Sequence, residues 1–323
     1  MAKPKEYKRK RHPLERKSRY ERKKDLIAYS FLAPNFIGFA VFTLMPVLFS
    51  IFLSFVKWKG GSIETMQWVG LQNYADIFKT ATVAEKGIGY LFSKVDLGIA
   101  LKNTVFYTLV TVPMTLVFSV ALALALNKAV RGSVVFRTVF FFPYVASMVA
   151  ICVCWRFMMM KDGPINHFLM ALGIPYNKSW TADSTMSIWS IILVSVWRNM
   201  GYYMVIYLAA LQGIPSDLYE AATTDGANKW QQFTHVTLPQ LRPTTFFAST
   251  MLIISCFKIY DVVAIMTEGG PGRSTKMLVT YIYDEAFSNF NYGIASAIAM
   301  VLLVIVLVFT LIQFSLEDRY ANN

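Results

Sequence analysis

Residues 214–239 read IPSDLYEAATTDGANKWQQFTHVTLP, from Ile214 to Pro239, and they lie between two long apolar segments, 186–211 and 244–266. The stretch has the marks of two short helices. Ser216 is placed to cap the first, and the carboxylate of Asp217 complements its positive end. Asp225-Gly226 then breaks it, because glycine takes left-handed backbone angles at little cost. Asn228 is placed to cap a second helix over 229–236, which Pro239 and Pro243 are expected to end. Ala221 and Ala222 beside Glu220 give a small-residue face with one directional carboxylate. A polar helix–turn–helix hung between apolar spans implies a docking element for another protein. The plainer alternative is an amphipathic linker lying on a bilayer surface.

The flanking segments are two of six. Of 323 residues, 55% are hydrophobic and only 15% charged. Soluble globular chains average about 25% charged. The apolar residues gather at 27–52, 101–126, 134–159, 186–211, 244–266 and 290–315. Each run is long enough to cross a hydrocarbon core about 30 Å thick as a helix. The expected fold is therefore all-α: a polytopic membrane protein with six transmembrane helices. This composition argues against a soluble enzyme. Cys152, Cys154 and Cys256 all lie in apolar runs, without zinc or disulfide spacing.

The net charge of +12 is lopsided. Residues 1–25 carry twelve Lys/Arg against four Asp/Glu. Directly before a span, such an arm reads as a positive-inside anchor touching anionic lipid, not as a nucleic-acid arm. It is also too long, and lacks a small-residue cleavage site, for a secretory signal. The expected organisation is a basic cytoplasmic arm (1–26), a six-helix domain (27–315) and a cytoplasmic tail (316–323). Even span number puts both termini on the cytoplasmic side. The insert at 212–243 then faces inward, and the loops 53–100, 160–185 and 267–289 face outward.

Glu220-Ala221-Ala222-x-x-x-Gly226 followed by Leu238-Pro239 resembles the "EAA" cytoplasmic loop of permease subunits of bacterial ATP-binding-cassette importers. Further stretches are similar to the carbohydrate branch, the maltose-permease type. They include Leu32-Ala33-Pro34, Gly70-Leu71-x-Asn73-Tyr74, Phe136-Arg137-x-x-Phe140-Phe141-x-Pro143, Gln212-Gly213-Ile214-Pro215 and Gly269-Gly270-Pro271. The resemblance runs from about residue 28 to 315. It implies that Ser216, Asp217, Glu220, Ala221, Ala222, Gly226, Leu238 and Pro239 couple the chain to a cytoplasmic ATPase. It also implies a second homologous permease subunit, two ATPase subunits and an outer solute-binding protein. Thr223-Thr224 departs from the family, which often has a bulkier or basic residue there. No Gly-x-x-x-x-Gly-Lys-Ser/Thr loop occurs in the chain, so Mg-ATP is expected only in the partner ATPase. No catalytic, cofactor or metal-binding residues are expected here.

Ionisable residues inside a span are costly and usually face a cavity. Arg198 and Asn199 fall mid-span, ahead of Tyr202-Tyr203, and Lys258 and Asp261 fall in the fifth run. Two arrangements are open. In one, Arg198, Asn199, Tyr202, Ser255 and Cys256 line a translocation path, with aromatic faces on sugar rings and polar groups on hydroxyls. In the other, Arg198 and Asp261 pair as a structural tie and the tyrosines merely pack. The resemblance favours the first. By motif offset, positions 199, 202, 255 and 256 match sugar-contacting stretches of the maltose-type permease, and Ile259 shares their register. Serine and cysteine replace bulkier or more polar groups there, which implies a different cargo. Arg156, near the end of the third run, is expected to snorkel towards the interface.

The expectation is the permease subunit of an ATP-driven importer of carbohydrate, an oligosaccharide, in a bacterial cell membrane. Glycerol phosphate or another polar solute is the nearer alternative. A stand-alone ion-coupled transporter is the more distant one, and a non-transporting membrane anchor a third.

Overall fold

The computed structural model describes residues 19–127, 132–174, 176 and 178–321. Most of the basic arm (1–18) thus lies outside the described residues. The chain divides into two units, residues 1–52 and 53–323.

In the first unit the apolar run forms α1 (Arg19–Phe39) and leads into α2 (Met45–Leu53), across a π-helical turn at Ala40–Leu44. That wide turn falls just before Pro46, which has no N–H to donate and whose ring would strike the carbonyl four residues back. Phe31 and Phe42 are 80% and 83% exposed. Exposed aromatic side chains at this density suit a lipid surround, not water.

The second unit opens with β1 (Val56–Lys57) and β2 (Gln67–Trp68), an antiparallel ladder pairing Val56 with Trp68. Asn73, buried in α3 (Gln72–Phe78), donates to the carbonyls of Ser54 (2.9 Å) and Val56 (3.0 Å) and so pins the ladder. The short α4 (Thr80–Lys86) and α5 (Ile88–Lys94) follow. The second span is α6 (Asp96–Asn127), a 32-residue helix that tolerates Pro113 inside it.

The third run is not one helix. It forms α7 (Ser133–Val145) and α8 (Met148–Met158), bent by 97°. Ala146 and Ser147 are extended (ψ 154° and 123°) and turn the chain. Just before the bend the chain is closely packed on a neighbour. A Cβ at Gly201 would overlap the Phe140 carbonyl, so α7 lies directly on the backbone of α10 (Met186–Gln212). Between them α9 (Pro164–Ala171) occupies the expected short helix of the 160–185 loop.

After α10 come α11 (Ser216–Thr224), α12 (Lys229–Gln232), a π-helical turn at Phe233–Thr237, and α13 (Leu238–Gln240). The expected fifth span is also broken. α14 (Arg242–Phe257) has 16 residues, about 24 Å at 1.5 Å per residue, short of the hydrocarbon core. Residues 258–260 leave helical geometry (Tyr260 φ −137°, ψ −59°), and α15 (Asp261–Met266) restarts with the Asp261 carboxylate in its first turn. Beyond it the 267–289 segment is not simply a loop but carries α16 (Leu278–Tyr283). Last is α17 (Tyr292–Ala321), which runs on as helix into the expected tail.

Four described helices are thus long and apolar enough to cross a membrane, and the bent α7–α8 pair adds a fifth candidate. These account for five of the six expected spans; the remaining one, 244–266, falls on α14–α15, which the 258–260 break interrupts. The core of the second unit centres on α10. Its Ile191, Ile192, Met204 and Tyr207 are fully buried with Leu252 of α14.

Candidate functional site

Two constellations carry chemistry. The first is a polar cavity of about 170 Å³ walled by α6, the α7–α8 bend, α10, α14 and the 258–260 break. Arg198, Asn199, Ser255, Cys256 and Ile259, which sequence singled out, all line it. Tyr202 does not reach the wall. It stacks on Tyr144, ring centroids 4.3 Å apart and planes 15° apart, and Tyr144 is the lining residue. Tyr203 meets Tyr202 edge-on at 5.0 Å and also lines the space.

Arg198 is held from the bend. Its Nη2 donates to the Tyr144 carbonyl (3.2 Å), and its guanidinium lies 5.0 Å from the centre of the Tyr144 ring. This bond exists because Ala146 and Ser147 interrupt the helix just beyond Tyr144. The proposed tie between Arg198 and Asp261 is not formed: no ion pair joins them among the described residues, and Asp261 is exposed at the start of α15. Asn199 Nδ2 donates to the Ser195 carbonyl (2.8 Å), which leaves its side-chain oxygen as an acceptor. Arg198 Nε and Ser195 Oγ are buried without a hydrogen-bond partner.

Among the other lining residues, the polar ones that the sequence reading did not place on the path are Tyr107, Tyr144, Ser195 and Tyr203. Ser195 was reachable, since it precedes Asn199 by one helical turn. Tyr107 and Tyr144 arrive from other elements, and no local signal places them. A larger hollow of about 500 Å³ is walled by Trp155, Trp180, Trp189 and Trp197, but its surface is almost wholly apolar.

The second constellation is the knob of 212–243. Ser216 is not the cap. The cap position is Pro215, Ser216 is the first helical residue, and its hydroxyl donates weakly to Asp217 Oδ1 (3.4 Å). Pro fixes an extended-compatible φ there, so the helix starts one residue early. Asn228 caps α12 as expected, in a reciprocal box with Gln231: Gln231 N–H to Asn228 Oδ1 at 2.9 Å, Asn228 N–H to Gln231 Oε1 at 2.8 Å. Pro239 does not end the second helix. It sits in the first turn of α13, where its missing N–H costs nothing, and helical backbone continues to Gln240.

Two bonds lock the knob. Gln232 Nε2 donates to Thr223 Oγ1 (3.0 Å), and the hydroxyls of Tyr219 and Thr237 bond at 2.9 Å. Gly226, at φ 79°, makes the turn between them. Glu220 and Ala221 are exposed, Ala222 is half-buried, and Trp230 is 71% exposed. Ala222, Gly226, Gln231 and His235 face a shallow hollow of about 280 Å³. Leu238 is exposed and Pro239 half-buried on the return to α14.

Arg156 does not snorkel freely. It donates to the Ile265 carbonyl (3.0 Å) and reaches Glu268 (3.4 Å), tying α8 to the end of α15.

Residues 119–322 match the family model described as the binding-protein-dependent transport system inner membrane component. This chain belongs to that family. It is 40% identical over 310 residues, 95% of each chain, to a probable ABC transporter permease protein of Bacillus subtilis, YesP. It is 33% identical to the lactose transport system permease protein LacF of Rhizobium radiobacter, covering 92% of this chain and 96% of that one. Among solved structures it resembles a chain of a bacterial alginate ABC transporter in complex with an alginate pentasaccharide-bound periplasmic protein. There the TM-score is 0.78 at 22% identity, over 93% of this chain and 97% of the other. The fold is thus that of an ABC-importer permease, and the inner-membrane family accords with the apolar helices.

Proposed function

We propose that this chain forms half of the translocation pore of an ATP-driven carbohydrate importer and that its cargo is an oligosaccharide. The observation that carries the proposal is the locked knob between α10 and α14. A two-helix unit held by Gln232–Thr223 and Tyr219–Thr237 transmits a push as a rigid body. The helices it would push, α10 and α14, wall the polar cavity. Ser216, Asp217, Glu220, Ala221, Ala222, Gly226, Leu238 and Pro239 form the coupling surface to a cytoplasmic ATPase, which alone binds Mg-ATP. Arg198, Asn199, Ser255, Cys256 and Ile259 line the substrate path, with Tyr202 supporting Tyr144 behind it.

Relatives support the cargo class. Besides LacF, an arabinooligosaccharides transport system permease protein of Bacillus subtilis is 31% identical over 91% of this chain. The assembly follows: a second, similar permease completes the pore, two ATPases dock at the knobs, and an outer binding protein delivers sugar. Both termini and the knob then lie on the cytoplasmic side.

Glu220→Lys should abolish ATPase co-purification or sugar-stimulated hydrolysis in a complex isolated from native membranes. Unchanged hydrolysis and uptake in that variant, with the chain still in the membrane, would falsify the coupling assignment.

A further inference from the structure

We propose that the cavity at Arg198 selects an acidic cargo, an oligosaccharide bearing carboxylates such as a uronate, rather than a neutral sugar. The inference rests on the cavity being the cargo path and adds the charge of what passes.

The wall carries one full charge, and it is positive. Arg198 projects from α10, and the other polar lining groups are hydroxyls, a thiol and the Asn199 amide. Among the described residues no Asp or Glu lines the space. Asp261, the acid that sequence offered as its partner, forms no ion pair with Arg198 among the described residues. A guanidinium at membrane depth without a counter-charge is costly, and such groups normally pair. Among the described residues it meets a carbonyl and an aromatic ring, both from Tyr144, which hold its orientation and bring no negative charge. Its Nε has no partner.

The surroundings fit a sugar acid. Ser195 is 2% exposed, and its Oγ has no hydrogen-bond partner either, so a donor and acceptor stand one turn from the guanidinium. The Asn199 oxygen and the Ser255 hydroxyl offer further positions for sugar hydroxyls. A carboxylate accepts from two N–H groups of one guanidinium edge and cancels a single charge. A phosphate monoester near its full double charge would leave an excess negative charge that nothing on this wall answers.

The test uses the complete complex purified from native membranes and reconstituted in proteoliposomes. The probes are short uronate oligosaccharides and their carboxyl-methyl esters, equal in length and differing in charge. Acids should enter faster than esters by about tenfold, the scale of one charge-assisted hydrogen bond. Arg198→Gln should erase that margin by slowing the acids alone, and Arg198→Lys should restore part of it. Esters entering as fast as acids overturn the acidic-cargo inference. The cavity itself still stands in that case if Ser255→Phe blocks their uptake. Uptake indifferent to both Arg198→Gln and Ser255→Phe, or no uptake of any probe, removes the cavity assignment as well. If Arg198→Gln fails to assemble, the wild-type comparison of acid with ester still decides the charge.

Discussion

At the scale of single residues, Gly201 and Asp183 do work that composition hides. Gly201 lets α7 lie against α10 so closely that any side chain would meet the Phe140 carbonyl. Gly201→Ala should therefore destabilise the chain by about 1–3 kcal/mol, as overpacking does. A melt in detergent that matches the parent would show that α7 can retreat. Asp183 stands before α10. The backbone N–H of Thr185 (2.9 Å), the Lys178 ammonium (3.2 Å) and the N–H of Met186 hold its carboxyl below the usual carboxylate range. A folded value below the unfolded one near 3.9 means that its support is present above about pH 4 and is lost as pH falls through the folded value. Asp183→Asn should lower the melting temperature at neutral pH and converge with the parent once the carboxyl is protonated, which flattens the acid limb of the thermal stability curve. An unchanged acid limb would mean the carboxylate adds nothing there.

At the scale of elements, the knob is built from local rules and two tertiary bonds. The Asn228 cap was legible because capping is local, and the structure adds the reciprocal bond from Gln231. Asn228→Ala should loosen α12 by about 1 kcal/mol, read as faster amide exchange over 229–236. The Gln232–Thr223 bond was not legible, since it depends on how α11 and α12 fold against each other. Thr223→Val keeps the shape and deletes the hydroxyl. In the proposed importer it should lower sugar-stimulated hydrolysis more than ATPase co-purification, because docking survives while stiffness falls. Equal losses would place Thr223 in the docking surface instead. The two breaks, at 146–147 and 258–260, show the opposite case. Both fall inside apolar runs that read as single spans, and both position cavity residues.

At the scale of the whole molecule, residues far apart in sequence fasten the 267–277 segment to the start of α6. Arg273 pairs with Asp96 at 2.7 Å, Lys276 approaches it at 3.7 Å, and Asn103 Nδ2 donates to the carbonyls of Arg273 and Lys276, both at 3.0 Å. Partly exposed pairs are individually weak, but a charge shared by two cations with backbone bonds beside it holds a segment in place. Asp96→Asn should expose that segment to protease faster in unsealed membrane fragments, where both faces are accessible. Protection equal to the parent would mean that Asn103 alone suffices.

By itself, the sequence determined that the chain is helical and membrane-embedded, where most spans lie, and that a capped two-helix insert divides two of them. Those properties follow from hydropathy, proline and glycine placement and capping spacing, all of which act within a few residues or one helix length. Only the tertiary structure decided that two apolar runs are broken, that Arg198 turns to Tyr144 and not to Asp261, and that Tyr107 and Tyr144 complete the cavity wall. Those outcomes depend on close approach between helices distant along the chain, which side-chain order within any one run does not encode.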